Sequence, residues 1–248
     1  MKKNTIMLSI SVALLLAMVG AAKADICLWQ QQLDPATAVG IRSTLPTNRL
    51  ADDWQWMGSQ PINAIEWWGT YRNWGQAAAP LATTPEFELT IWTNNPWGIH
   101  HFFPQPRNVL WRRAVRPTES YNGVDDLLQE TRFKYSIALP EADWFTYPDS
   151  QPTTLWLSIA AVGPLPAGLT GNYTWCWDST PDGADHWGGW AVSSTDGYVW
   201  DPAMMHHEYV DTAFALKAVP VPGALWLLGS GLAALVGRYR RTKSLDAR

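Results

Sequence analysis

The chain is poor in the residues that carry most enzyme and metal chemistry. It has two cysteines and five histidines in 248 residues, so at most one intramolecular disulfide can form. His100-His101 and His206-His207 are adjacent pairs, which a strand points to opposite faces, and no two histidines stand four apart around a glutamate as a zinc-protease helix requires. No acids alternate toward a glycine in EF-hand spacing. A long helical period is missing apart from a turn or two around Val124 to Leu128, and no internal repeat or low-complexity linker divides the chain. Positive charge is scarce: from Asp25 to Ala218 there are ten Lys plus Arg against twenty-one Asp plus Glu, a net charge near −11. That balance disfavours nucleic acid and anionic membrane surfaces and favours divalent cations or basic partners.

Long apolar runs are confined to the two ends. Lys2 and Lys3 precede the stretch Ile6 to Val19, and Ala22-Lys23-Ala24 places small residues at both cleavage-determining positions, so a signal peptide over 1–24 is predicted, cut after Ala24. Cys27 follows Ile26, which excludes a lipobox. At the other end Val219-Pro220-Val221-Pro222 leads into an uncharged run from Gly223 to Gly237, closed by Arg238, Tyr239, Arg240 and Arg241. A spanning helix needs about 20 apolar residues. Proline breaks the first turns, so the helix is expected to begin near Gly223 and to span only marginally, with Tyr239 and the arginines as anchors on the inner side.

That order of features resembles the PEP-CTERM sorting tail of Gram-negative exported proteins, with Val221 where the motif usually carries Glu. The resemblance implies export through the Sec translocon, signal peptidase cleavage and transient anchoring in the inner membrane. An exosortase-type transpeptidase would then cut near the proline motif and deliver the body to the cell surface or extracellular matrix, in association with exopolysaccharide and biofilm. A plain single-pass anchor is the alternative. The expected organisation is signal peptide 1–24, ectodomain 25–217, sorting tail 218–241 and a cytoplasmic end 242–248.

Within the ectodomain the dominant period is two. Glu86-Phe87-Glu88-Leu89-Thr90-Ile91 alternates over a strand length, and Phe133, Tyr135, Ile137, Leu139 and Leu155, Leu157, Ile159, Ala161 repeat the pattern. Shorter runs lie at Ile62 to Trp68 and Ala213 to Leu216, separated by turn clusters such as Asn94-Asn95-Pro96 and Tyr147-Pro148-Asp149-Ser150. Strands with one apolar face bury it by packing sheet on sheet, so an all-β, jelly-roll-like sandwich is predicted. The blocks Ala51-Asp52-Asp53-Trp54, Ile65 to Tyr71, Trp156 to Val162 and Asp211 to Leu216 resemble an uncharacterised β-rich domain of exported proteins with the same tail, over most of residues 29–217. That family has no established catalytic residues.

Candidate sites follow from residue type. In an exported protein Cys27 and Cys176 are expected to form one disulfide, two unpaired thiols being the alternative. Seventeen tryptophans suit either an intersheet core or stacking on sugar rings. Trp187, Trp190 and Trp200, among glycines, are the candidates for a carbohydrate-binding face. Trp67 and Trp68 should face opposite ways, while Trp175 and Trp177 share a face with Cys176 behind them. Asp178, Asp182 and Asp185 around Gly183 could hold a structural Ca²⁺, or form a solvated loop. Asp52 and Asp53 read as tying a turn beside Trp54. Glu86 and Glu88 share a strand face as a glycosidase pair would, yet lie on a polar face without a cleft, so no catalytic residue is assigned. A non-enzymatic exported protein is expected; a carbohydrate-binding module or a glycan hydrolase is the alternative.

Overall fold

Alternation of residue type sets which face of a strand meets the opposite sheet. The computed structural model describes residues 26–218, apart from residues 59, 82, 97–102, 126, 150, 163–173, 182–189 and 206–207. The signal segment with Ala22 and Ala24, the sorting segment from Val219 to Arg241, Trp187, Asp182, Asp185 and the paired histidines lie outside the described residues. The folded unit is Cys27–Ala218.

Fifteen strands make up the described fold: β1 (Ile26–Gln31), β2 (Gly40–Arg42), β3 (Arg49–Trp56), β4 (Ala64–Tyr71), β5 (Phe87–Asn95), β6 (Gln105–Val115), β7 (Thr118–Val124), β8 (Thr131–Ala138), β9 (Thr153–Ala161), β10 (Trp175–Pro181), β11 (Val192–Ser194), β12 (Asp201–Pro202), β13 (Met204–Met205), β14 (Glu208–Thr212) and β15 (Phe214–Ala218). Near Val124 the chain makes one turn: the Gln129 N–H donates to the Asp125 carbonyl at 3.0 Å, and the Asp125 carboxylate accepts the N–H groups of Leu127 at 2.6 Å and Leu128 at 3.0 Å. Such local bonding competes with helix. A 3-10 turn at Glu141–Asp143 is the one helical element among the described residues.

The strands form two sheets. The larger runs β1-β15-β4-β10-β14-β13, with β2 on β10, β8 on β4 and β7 on β8; the smaller runs β12-β11-β3-β9-β5-β6. From β2 to β5 the chain alternates between the sheets. The antiparallel pairs β2·β10, β3·β9 and β4·β8 nest around the β5·β6 hairpin. This is the rolled-up order of a jelly roll, as the sequence pattern predicts.

Between the sheets, Leu50, Trp54 and Trp56 of β3, Phe87, Leu89 and Ile91 of β5 and Leu155, Leu157 and Ile159 of β9 meet Ile65, Trp67 and Tyr71 of β4, Phe133 and Tyr135 of β8 and Trp175 and Trp177 of β10. Trp67 is buried while Trp68 faces out under the Lys134 ammonium, 5.6 Å above its ring. Gly69 permits close approach of β10, because a Cβ there would lie 2.6 Å from the Cys176 carbonyl oxygen and 2.7 Å from the Trp175 ring.

Aromatic packing does not stop at the intersheet space. Ala51, Trp92 and Trp156 on the outer face of the smaller sheet cluster with Val192 of the neighbouring β11 and with Trp200. Leu33, Ala38 and Ala213, with Trp68, form a third cluster. Tryptophans at outward positions are therefore buried by loops and short strands that strand periodicity does not reveal.

Candidate functional site

Two buried polar clusters stand out against this apolar background. On β3 the residues Leu50, Asp52, Trp54 and Trp56 share the inward face, so Asp52 projects a carboxylate between the sheets. It reaches the end of β14 in the opposite sheet, where the Thr212 N–H and the Thr212 hydroxyl, the latter at 2.9 Å, both donate to its Oδ2. The Asp53 N–H donates to its Oδ1 at 2.9 Å. The Gln31 amide, oriented by its neighbours, donates to the Thr212 carbonyl at 2.8 Å and to Asp52 Oδ2 at 3.1 Å. Burial first, then the nearby Asp211 and Asp53, push the Asp52 carboxyl well above the ordinary carboxylate range. Asp52 and Asp53 thus do not tie a turn. They lie in mid-strand, and Asp52 joins the two sheets.

The second cluster lies on the other side of the larger sheet. Arg132 of β8 and Asp178 of β10 form a buried ion pair, Nε to Oδ2 at 2.9 Å, with side-chain exposures of 2% and 0%. Arg132 Nη2 also donates to the Ala38 carbonyl at 3.2 Å. The Asp178 carboxyl is pushed up to about 7: burial raises it, Arg132 pulls it back, and Asp125 and Glu130 add to the rise. Of the three candidate calcium ligands, Asp178 is thus buried with its Oδ2 on Arg132, and Asp182 and Asp185 lie outside the described residues. Among the described residues no three His, Cys, Asp or Glu gather closely enough to hold a metal ion.

A smaller tie fastens the β7 edge. Glu119 Oε1 accepts the hydroxyls of Tyr71 at 2.8 Å and Tyr135 at 2.7 Å. Burial raises both phenols well above their ordinary value. Sequence reasoning missed Glu119 and Arg132, since each looks like a surface charge on an alternating strand.

Of the proposed tryptophan platform, Trp187 lies outside the described residues and the other two are engaged within the fold. Trp200 is buried, edge-on to Trp92 with centroids 5.7 Å apart. Trp190 lies flat on Tyr209, centroids 3.9 Å apart and planes 11° from parallel. Glu88, read as solvated, is held by Arg49 at 2.6 Å.

Nor do the cysteines pair: Cys27 is an exposed thiol and Cys176 a buried one. Cys176 lies in β10, where its ladder partners are Thr70 of β4 and Arg42 of β2, while Cys27 lies in β1 with its thiol beside the Trp29 carbonyl and the Gln30 amide. Burial, partly offset by Arg72, pushes the Cys176 thiol up to about 11, so it is a poor nucleophile at neutral pH. Treatment with a reductant is expected to leave both the melting temperature and the gel mobility unchanged. A faster-migrating oxidised form that reductant destroys would contradict this arrangement.

Comparison with known families agrees with this architecture. A family described as "Domain of unknown function (DUF7901)" matches residues 27–217, and one described as "PEP-CTERM protein-sorting motif" matches residues 218–241. No curated protein and no solved structure matches the chain. The change of family falls at the end of β15, the last of the described strands. The chain thus belongs to the DUF7901 family of domains of unknown function and carries a PEP-CTERM sorting signal, the mark of an exported protein of the cell envelope or surface that an exosortase processes.

Proposed function

We propose that the chain is a non-enzymatic exported protein whose β-sandwich is the delivered cargo and whose tail is removed in transit. In this reading the Sec translocon and signal peptidase handle the first 24 residues, and the tail holds the chain briefly in the inner membrane. A cut near Pro222 then releases or transfers the body to the cell surface or an exopolysaccharide matrix. The observation that carries the reading is that the family match to the body, 27–217, ends where the match to the sorting motif, 218–241, begins. Cleavage at the proline motif would leave all fifteen described strands in place. The engagement of Asp52 with Thr212 and of Asp178 with Arg132, both away from solvent, supports a structural use of the buried acids.

Mass spectrometry of the protein recovered from the surface fraction is expected to give a chain beginning at Asp25 and ending near Pro222. A surface-located chain running intact to Arg248 would refute the proposal. Loss of surface delivery on deleting residues 219–248, with the body folded and retained inside, is the second expected result.

A further inference from the structure

The sandwich is acidic overall, but its charges are segregated. Residues 89–118 hold no Asp or Glu and carry Arg107, Arg112, Arg113 and Arg116, four of the ten basic residues between 25 and 218. All four lie on or directly after β6. That strand ends the smaller sheet and, among the described residues, pairs with β5 alone. The one basic stretch of an acidic body therefore coincides with a sheet edge.

The arginines are not equally engaged. Arg113 is held in place, its Nε 2.5 Å from Asp143 Oδ1 and its Nη1 2.7 Å from the Arg112 carbonyl oxygen. Arg112 and Arg116 approach Glu88 and Glu86 only to 3.7 and 3.6 Å, with side-chain exposures of 49% and 63%. These distances exceed hydrogen-bond length, so their guanidinium donors remain open to a ligand. Glu88 is already taken by Arg49 at 2.6 Å. Arg107 and Asn108 are exposed, as are the apolar side chains of Val109 and Leu110.

Backbone pairing is a poor use of this edge. The β5·β6 register shifts twice, between Ile91 and Trp92 and between Trp92 and Asn94. Bulges and charges of this kind are what keep an edge strand from accepting another strand. Recognition is left to the side chains: planar forks that match carboxylates bidentately, beside apolar groups that suit the CH face of a sugar. From Arg107 to Arg116 the strand covers about 30 Å, long enough for several sugar units of an extended polymer.

We infer that the β6 edge, through Arg107, Arg112 and Arg116, binds a linear polysaccharide bearing carboxylates. The inference deepens the matrix reading and rests on it for the meeting of protein and polymer. Binding itself is tested separately from sorting, on the purified full chain in detergent. Electrophoresis through gels containing polygalacturonate should retard the chain, and neutral dextran should not. The triple variant Arg107→Gln, Arg112→Gln, Arg116→Gln should bind polygalacturonate at least roughly tenfold more weakly, as expected for three partly exposed charge contacts, with its melting temperature unchanged. Added salt should weaken binding by the wild-type chain.

Three outcomes would overturn the inference: no retardation of the wild-type chain by polygalacturonate, equal retardation of the folded triple variant, or equal retardation by poly-glutamate, which carries the same charge without sugars. Should the triple variant fail to fold, Arg107→Gln alone is the readout. An unchanged affinity there then counts against the assignment. Retention in the gel with an intact tail on surface protein would sink the sorting proposal and leave this one standing.

Discussion

Arg132→Met should be among the most damaging single substitutions in the sandwich, lowering its stability by about 3–5 kcal/mol because it strands the buried Asp178 carboxylate without its partner. For a domain of this size that corresponds to a fall in melting temperature of roughly 10 °C. Loss of packing alone would cost less, since methionine replaces most of the arginine stem. The double variant Arg132→Met, Asp178→Leu should recover much of the loss, as it removes both charges. Tryptophan fluorescence during thermal unfolding reads all three proteins. A single variant that melts within a degree or two of wild type would show that the pair contributes nothing to stability.

The same pair makes stability depend on pH in a stated direction. Asp178 has an ordinary value of 3.8 and is pushed up to about 7 in the fold, so the folded state holds its proton more tightly than the unfolded chain. Its contribution is fully present below about pH 4 and is lost as pH rises through 7. Asp52 is shifted the same way, chiefly by burial. Asp34 and Asp196 are shifted down, by hydrogen bonds from Thr37 and from the Val199 N–H respectively, so their contributions are lost only below their ordinary value. The melting temperature should therefore rise as pH falls from 8 to 5, with about 2–3 kcal/mol of stability gained from Asp178 over that range. In Arg132→Met the opposing pull of the guanidinium is gone, so the titration should move to higher pH. A melting temperature that falls steadily from pH 8 to 5 would refute this.

Trp67→Ala is the second large effect. Trp67 is buried at the centre of the intersheet core, stacked on Tyr135 with centroids 5.6 Å apart and edge-to-face with Phe87 at 5.3 Å. Truncating such a ring costs about 3–5 kcal/mol through lost transfer energy and the cavity left behind. Trp67→Phe should cost far less, under about 1.5 kcal/mol, because the indole N–H it removes is buried without an acceptor. Trp177 offers the contrast. Its indole N–H donates to the Ala213 carbonyl at 3.0 Å, so Trp177→Phe leaves a buried oxygen with one bond fewer. Urea unfolding monitored by circular dichroism would separate the three. Equal losses for Trp67→Ala and Trp67→Phe would show that ring size is not what the site requires.

Much of the fold was legible because a strand's period of two is a local property. The stretches around Phe87, Phe133 and Leu155 became β5, β8 and β9 with their apolar residues inward. Trp67 and Trp68 point to opposite sides, and Trp175 and Trp177 share the core face. The tail was legible for the same reason, since prolines, an uncharged run and arginines are read in order along the chain.

Illegible were the features that depend on which strands become neighbours. Parity and compartment suggested a bridge between Cys27 and Cys176, and only the fold left one exposed on β1 and buried the other in β10. Asp178 sits beside a glycine-rich acidic loop in the sequence, yet its partner is Arg132, 46 residues earlier. Asp52 resembles a turn residue until β3 and β14 face each other across the core. Trp200 resembles a loop tryptophan until Trp92 covers its edge.

Sequence by itself determined the all-β class, the rolled sandwich and the sorting address that follows it, because periodicity, turn chemistry and hydropathy are written into short windows. Tertiary structure alone decided which charges are buried together, which thiols stay apart and which arginines line an open edge. Those depend on contacts between residues far apart in the chain, and no local window contains both partners.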